Sequence, residues 1–160
     1  MEILIRKAVE SDYDALCLLW DEVDLPHRQR LPDIFRPPVG PVRERDYFLG
    51  LLADENVAIF LAEQASKPVG FLHALEAHSW DIPILVPRRY AIIDNLVVTE
   101  RARRQGIGRL LMEEAEDWAR KRGLKTVELT VYEFNLGAIA LYEGMGYENL
   151  HRRMSKKLER

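Results

Sequence analysis

The sequence predicts a single α/β domain in which helices pack on a mixed β-sheet. Strand-like and helix-like segments follow one another in the order β-α-α-β-β-β-α-β-α-β-β, and the spacing of apolar residues separates the two kinds. A chain of 160 residues is long enough for one domain with a sizeable core. Its content of 48% hydrophobic and 31% charged residues is typical of a soluble globular protein.

A strand, a helix, a long loop and a second helix are predicted in the first third of the chain. Residues 3–5 are an apolar run typical of a strand, and Ser11 is a suitable N-cap for the helix that follows. The apolar face of that helix consists of Leu16, Leu19, Trp20 and Val23. The prolines of residues 24–41 predict a long loop, and residues 42–53 predict a helix. The inward residues of this second helix are Tyr47, Phe48, Leu51 and Leu52.

Three strands are predicted in the middle of the chain. Residues 57–63 and 69–75 form a hairpin, with residues 66–68 as its turn. An irregular connection follows and reaches Pro87. Residues 91–98 are mostly apolar and rich in β-branched side chains, which predicts a central strand.

A basic loop that contains glycines joins this central strand to an amphipathic helix. The apolar face of the helix consists of Ile107, Leu110, Leu111, Ala115 and Trp118, and Gly123 is its C-terminal cap. The first amides of a helix have no partner within it, and the helix dipole makes this end partly positive. Gly106 and Gly108 let an oxyanion approach the backbone closely. Full positive charges are added by Arg103, Arg104 and Arg109. The loop therefore predicts a phosphate or pyrophosphate site, with a solvated arginine cluster as the alternative.

The last third of the chain predicts a strand, a short helix and two further strands. Residues 126–132 alternate between apolar and polar side chains, as in a half-buried strand. Asn135 is a suitable N-cap for a helix that ends near Gly144. Residues 145–150 and 152–158 then predict a final pair of strands.

Three segments in this order resemble the signature of the GNAT-type N-acetyltransferase family. They are the strand end Asp94-Asn95-Leu96-Val97-Val98, the loop 103–108, and residues 135–147, which read Asn-Leu-Gly-Ala-Ile-Ala-Leu-Tyr-Glu-Gly-Met-Gly-Tyr. The family has an R/Q-x-x-G-x-G/A loop after its fourth strand and an N-x-x-A-x-x-L-Y-x-x-x-G-F/Y block after its fifth. The one departure is Tyr147, where the commoner residue is Phe. The resemblance implies a GNAT-like domain over residues 1–160, with about seven mostly antiparallel strands, four helices, and a splayed fourth and fifth strand.

The resemblance implies acetyl-CoA as the co-substrate. The residues whose backbone would hold its pyrophosphate are Arg103, Arg104, Gln105, Gly106, Ile107, Gly108 and Arg109. The pantetheine arm would pair with the backbone of Leu96, Val97 and Val98 like an added strand. Asn135 would hydrogen-bond the pantetheine region, and Ala138 of the same block would also lie at the cofactor.

The resemblance also implies direct attack of an amine on the thioester, with no covalent enzyme intermediate. Tyr142 would give a proton to the departing CoA thiolate, and a backbone N–H near Leu96 would stabilise the oxyanion. An amine with a pKa near 10 must first lose a proton. Asp94 is the candidate base, and an ion pair with Arg88 or Arg89 is the equal alternative. Other candidates for the base are His27, His73 and His78.

Composition and spacing exclude several other classes of function. No His/Cys/Asp pattern suggests a metal site, no apolar run approaches membrane-spanning length, and the net charge of −3 does not indicate a polyanionic partner. A nucleic-acid binder that uses the 101–109 arginines is therefore a weak alternative, and a non-catalytic acyl-CoA sensor is a stronger one. We expect a cytoplasmic enzyme, a homodimer by analogy with the family, that acts on a small-molecule or peptide amine. Loops 24–41 and 78–89 are expected to shape the acceptor pocket.

Overall fold

The computed structural model describes residues 2–159. The chain consists of two compact units, with the boundary between Thr130 and Val131. The first unit contains one five-stranded sheet. Its strands are β1 (Ile3–Lys7), β2 (Val57–Gln64), β3 (Lys67–His78), β4 (Arg89–Val98) and β5 (Val127–Leu129). They lie in the order β1-β2-β3-β4-β5, antiparallel as far as β4, whereas β5 runs parallel to β4.

Four α-helices accompany these strands. They are α1 (Tyr13–Arg30), α2 (Arg45–Ala53), α3 (Ile107–Lys121) and, in the second unit, α4 (Leu136–Gly144). Short 3-10 turns occur at Glu10–Asp12 and Glu100–Ala102. The predicted fold class is confirmed, with four helices and a mixed, mostly antiparallel sheet, but the sheet has five strands rather than seven.

The two missing strands belong to the C-terminal segment. Residues 145–150 and 152–158 form no strand. Gly146 has a φ of +90°, which interrupts an extended backbone in the first segment. The second segment has Met154 and Leu158 as its apolar side chains, and both are more than four-fifths exposed. A segment without an apolar face to bury does not stabilise a strand.

The predicted loop 24–41 begins too early, because α1 continues through Pro26 as far as Arg30. A proline inside a helix removes one backbone hydrogen bond. Side-chain contacts across this turn hold the helix nonetheless: Arg28 pairs with Asp21 at 2.9 Å, and the His27 Nδ1 lies 2.8 Å from the Val23 carbonyl. The connection to α2 therefore covers residues 31–44.

The predicted N-cap at Ser11 is also wrong, because Ser11 lies inside the 3-10 turn and Asp12 occupies the N-cap position of α1. The Asp12 carboxylate accepts the Val9 N–H at 2.8 Å and pairs with Arg6 at 2.8 Å. Its side chain is thus used to close the turn and to bind β1. In the hairpin, the turn consists of Ala65 and Ser66, which both have positive φ.

Different helices cover the two faces of the sheet. On one face, the Trp20 ring of α1 meets the Phe71 ring of β3 edge-on at 5.3 Å and the Phe48 ring of α2 at 6.1 Å. On the other face, Ala91 of β4 packs against Ala119 of α3. Tyr47, predicted to face inward, is 46% exposed. The α1–α2 face is the one that carries the candidate site.

Candidate active site

A β-bulge lies in the middle of β4. His73 is opposite Asn95 and Ala74 is opposite Ile93, so Asp94 is an extra residue without a cross-strand partner. A bulge of this kind turns the extra side chain and its neighbour toward the same face of the sheet. It is a local feature that redirects the side chains next to it.

The bulge reverses the alternation of side chains along β4. Ala91 packs on the α3 side, whereas Val97 packs in the cluster that α1 and α2 cover. Those two residues would share a face on a regular strand. Asp94 therefore lies on the α1–α2 side while Leu96 is directed to the opposite side, and the two do not face the same way.

The partner of Asp94 is a histidine of the neighbouring strand. The Asp94 Oδ2 lies 3.2 Å from the Nδ1 of His73. The suggested pairing with an arginine is wrong, because Arg88 binds Glu128 at 2.6 Å and Arg89 binds Glu76 at 2.5 Å. Of the histidine candidates for the base, His73 is thus the one beside Asp94.

The environment of Asp94 favours its charged form. The close contact with His73 is the main cause that lowers the pKa of the Asp94 carboxyl, and it outweighs the opposing effect of partial burial. The Arg43 guanidinium lowers this pKa further. Burial raises the pKa of the Tyr47 phenol, and the negative charge of Asp94 raises it too.

The segment that leads into α2 supplies part of this environment. Arg43 donates to the Asp24 carboxylate at 2.8 Å and stands 5.7 Å from the centre of the Trp20 ring. Trp20 in turn donates its Nε1–H to Asn95 at 3.1 Å. Sequence reasoning missed Arg43 and Tyr47 as neighbours of Asp94, because no local pattern marks a contact between segments about fifty positions apart.

The fourth and fifth strands separate as the resemblance implied. They pair only from Ala91 with Val127 to Ile93 with Leu129. From Asp94 onward, β4 has no strand on that side within residues 2–159. The backbone of Leu96, Val97 and Val98 therefore borders a gap in the sheet.

The loop after β4 leads directly into the start of α3. Arg103 donates from its Nε to the Val98 carbonyl at 3.0 Å. Arg104 and Gly106 both have positive φ, of 64° and 80°, and Gly106 is the N-cap residue of α3. A Cβ at Gly106 would meet no heavy atom within 4 Å, so the space over it is open. Gly108 lies in the first turn of the helix.

Two contacts hold this loop in place. The Glu22 carboxylate of α1 accepts the Glu100 N–H at 2.8 Å and lies 3.7 Å from Arg103. Gln64 of β2 donates to the Gln105 side chain at 2.8 Å. The side chains of Arg103, Arg104 and Arg109 are exposed at the surface around the helix start.

In the second unit, Asn135 caps α4 as predicted. Its Oδ1 accepts the Ala138 N–H at 3.3 Å. Tyr142 is partly buried, and this burial raises the pKa of its phenol to about 12. Its ring centre is 5.9 Å from that of Tyr147.

Other candidate groups lie elsewhere. Within the described part of the chain, no three His, Cys, Asp or Glu side chains are grouped as a metal site would require. The same residues contain no helix with the length and apolarity needed to cross a bilayer. Cys17 is partly buried, with its Sγ 3.9 Å from the Arg43 carbonyl.

Comparison with known proteins gives consistent matches. Residues 20–147 match the family model described as the acetyltransferase (GNAT) family. The chain is 38% identical over 104 residues to the uncharacterized N-acetyltransferase MJ1207 of Methanocaldococcus jannaschii, covering 65% of this chain and 45% of that one. It is 28% identical to the uncharacterized N-acetyltransferase YhfO of Bacillus subtilis, over 90% of this chain and 89% of that one. The crystal structure of a BH1408 tetramutant from Bacillus halodurans superposes with a TM-score of 0.91, at 26% identity, covering 97% of this chain and 99% of that one.

Proposed function

This chain belongs to the GNAT acetyltransferase family, and on that premise we propose that it moves the acetyl group of acetyl-CoA to an amine by direct attack. The family match runs across the boundary between the two compact units, which supports one acetyltransferase domain over residues 1–160. The observation that carries the proposal is the gap beside β4, which leads to the glycine-capped start of α3.

In this proposal, acetyl-CoA lies along the free side of β4. Its pantetheine arm pairs with the backbone of Leu96 to Val98, and its pyrophosphate binds the first amides of α3. The residues that form the pyrophosphate loop are Arg103, Arg104, Gln105, Gly106, Ile107, Gly108 and Arg109. The sequence motif assigns Asn135, Ala138 and Tyr142 to the same cofactor.

Replacing Gly106 by valine should weaken acetyl-CoA binding at least tenfold, or about 1.4 kcal/mol. The valine side chain would stand in the open space that the phosphate oxygens need, and its φ of +80° is unfavourable for a β-branched residue. Calorimetric titration with acetyl-CoA measures the effect. Gly40→Val is the matched control, because Gly40 also has positive φ and open space around it but lies in another loop. Unchanged acetyl-CoA affinity in a folded Gly106→Val protein would contradict the assignment of this loop as the pyrophosphate site.

The chemistry requires a free amine and a stabilised oxyanion. Asp94 takes a proton from the acceptor ammonium through water, and the amine then attacks the thioester carbonyl. The Leu96 N–H donates to the oxyanion of the tetrahedral intermediate. Tyr142 protonates the departing thiolate and is reprotonated from solvent, and the second proton that the nitrogen loses as the amide forms also goes to solvent. Cys17 has no role, because direct attack needs no enzyme nucleophile.

Asp94→Asn should lower the rate at neutral pH by about tenfold, a modest value because a carboxylate of lowered pKa is a weak base. The rate should recover as the pH rises, because a larger fraction of the acceptor is then the free amine. Acetyl-CoA affinity should stay unchanged. The pH dependence of turnover, measured for the variant and for the unaltered protein, tests this role of Asp94. A variant as fast as the unaltered protein at every pH would exclude Asp94 from the mechanism.

A panel of amines tests the function as a whole. The panel holds small amines, aminoglycosides, peptides with free N-termini and lysine peptides, and the release of free thiol from acetyl-CoA reports acetylation. Turnover with any class supports the enzyme and identifies its acceptor. Tight acetyl-CoA binding without turnover would instead favour an acyl-CoA sensor.

A further inference from the structure

A buried histidine lies directly behind the exposed carboxylate of the candidate site. The side chain of His73 is 3% exposed and that of Asp94 is 50% exposed, with 3.2 Å between Nδ1 and Oδ2. Neither ring nitrogen makes a well-aligned hydrogen bond to any of residues 2–159. Buried polar atoms are nearly always bonded in folded proteins, so an imidazole left in this state needs an explanation.

We propose that His73 and Asp94 act as one proton-accepting pair, in which His73 holds the proton that Asp94 takes from the acceptor ammonium. This role rests on the proposed acetyl transfer. The N–H bond of the ammonium breaks as the Asp94 carboxylate accepts the proton through water, and the proton then passes from Oδ2 to the unprotonated Nδ1 of an imidazole that carries its one hydrogen on Nε2. The products are a neutral amine and an imidazolium–carboxylate pair. After the reaction, the proton leaves to solvent through the exposed carboxylate.

The pair accounts for a difficulty with Asp94 alone. A lone carboxylate accepts the proton of an ammonium group only against a large difference in pKa. An imidazole binds protons more strongly than a carboxylate. When two such groups lie in contact, their titration belongs to the pair rather than to either residue. Asp94 thus gives the buried imidazole access to the solvent-facing side of the site.

The groups around the pair favour the charged form of Asp94. Arg43 is the cation whose charge acts on Asp94, and the charge of Asp94 acts in turn on Tyr47. The β2 residue opposite His73 is the apolar Ile59, and the β4 residue opposite it is Asn95, which is neutral. Asp94 is therefore the charged member of the pair, and Arg43 is the cation that acts on it.

His73→Asn tests the proposal, because asparagine keeps a polar side chain beside Asp94 but cannot take up a proton. Because His73 touches neither substrate nor cofactor, it is a positioning residue that acts through Asp94. We expect turnover to fall about tenfold at neutral pH, and the acid limb of the pH–rate profile to move to lower pH, toward the behaviour of a lone carboxyl. His78→Asn is the matched control, since His78 lies on the same strand 3.6 Å from a carboxylate but is 65% exposed. An unchanged acid limb, with or without a loss of thermal stability, would overturn the proposal.

A second measurement separates this proposal from the proposed function. Imidazole ¹⁵N signals of His73 can be followed by NMR over pH in the unaltered protein and in Asp94→Asn. We expect the pH dependence of the His73 signals to differ between the two proteins, because an amide at position 94 cannot share a proton with the ring. Identical titrations would overturn the pair even if amines are acetylated. A protein that acetylates no amine overturns the enzymatic role, while the titration still reports whether the two residues share a proton.

Discussion

Replacing Tyr142 by phenylalanine should lower turnover about 100-fold while the fold and the affinity for acetyl-CoA remain. Thiolate expulsion from the tetrahedral intermediate is easier when a neighbouring acid supplies a proton. A phenol whose pKa is raised to about 12 stays protonated throughout the usual assay range, so it is always ready to donate. Phenylalanine keeps the ring and its packing, so the substitution removes only the donor.

Steady-state turnover and calorimetric acetyl-CoA binding, measured together, separate loss of the acid from loss of binding. Tyr147→Phe is the matched control, because its ring stands 5.9 Å from that of Tyr142 and phenylalanine is the commoner residue of the motif at that position. We expect this control to keep the rate of the unaltered protein. Full turnover in Tyr142→Phe would mean that the thiolate leaves without an acid from this side chain.

Glu76→Gln should lower the free energy of unfolding by about 2 kcal/mol or more, because it removes one charge from a partly buried ion cluster. The Glu76 side chain is 2% exposed and accepts from Arg89 at 2.5 Å and from Arg122 at 2.9 Å. Arg122 also donates to Asn56 at 3.0 Å. The cluster ties β3 to the start of β4 and the end of α3. Because both arginines reach water, we expect less than the ~3–5 kcal/mol of a fully buried pair.

The effect of Glu76 depends on pH. Hydrogen bonding from Arg89, and secondarily from Arg122, lowers the pKa of Glu76 from an ordinary 4.5 to about 2. A depressed pKa contributes stability that is fully present above 4.5 and is lost as the pH falls toward 2. The deficit of Glu76→Gln relative to the unaltered protein should therefore be full at pH 7 and shrink in acid.

Urea unfolding at several pH values measures this deficit. Glu128→Gln is the control, because its partner Arg88 is 43% exposed and such surface pairs contribute about 1 kcal/mol or less. Equal losses in the two variants would mean that burial of the Glu76 cluster adds nothing. A deficit that stays constant down to pH 2 would contradict the assigned protonation.

Local patterns predicted the parts of this fold that local interactions determine. The apolar spacing from Ile107 onward and the capping residue Gly123 placed α3 correctly, and Asn135 placed the start of α4. The errors came where a local rule competes with contacts made elsewhere. Pro26 argues for a break, but side chains from the neighbouring turns hold α1 together. Residues 152–158 were predicted to be a strand, but they have no apolar face to bury.

The candidate site could be predicted only in part for the same reason. Its glycines and its motif residues could be predicted because each belongs to a short local sequence pattern. The contact between Asp94 and His73 depends on the register of two strands and on one extra residue in β4. Register is a property of the pair of strands, and a shift of one residue would turn Asp94 away. Sequence alone therefore gave His73 as one of several histidines.

The shortness of β5 has a consequence for how this protein behaves in solution. Three paired residues leave the rest of β4 as an open edge, and open edges are templates on which strands of other chains can add. A ligand that pairs with this edge would occupy the same hydrogen-bonding groups. Solubility would then be linked to occupancy, with the ligand-free protein being the form prone to edge-to-edge aggregation. In the proposed function the co-substrate pairs with this same edge, so its binding would also protect the edge against self-association.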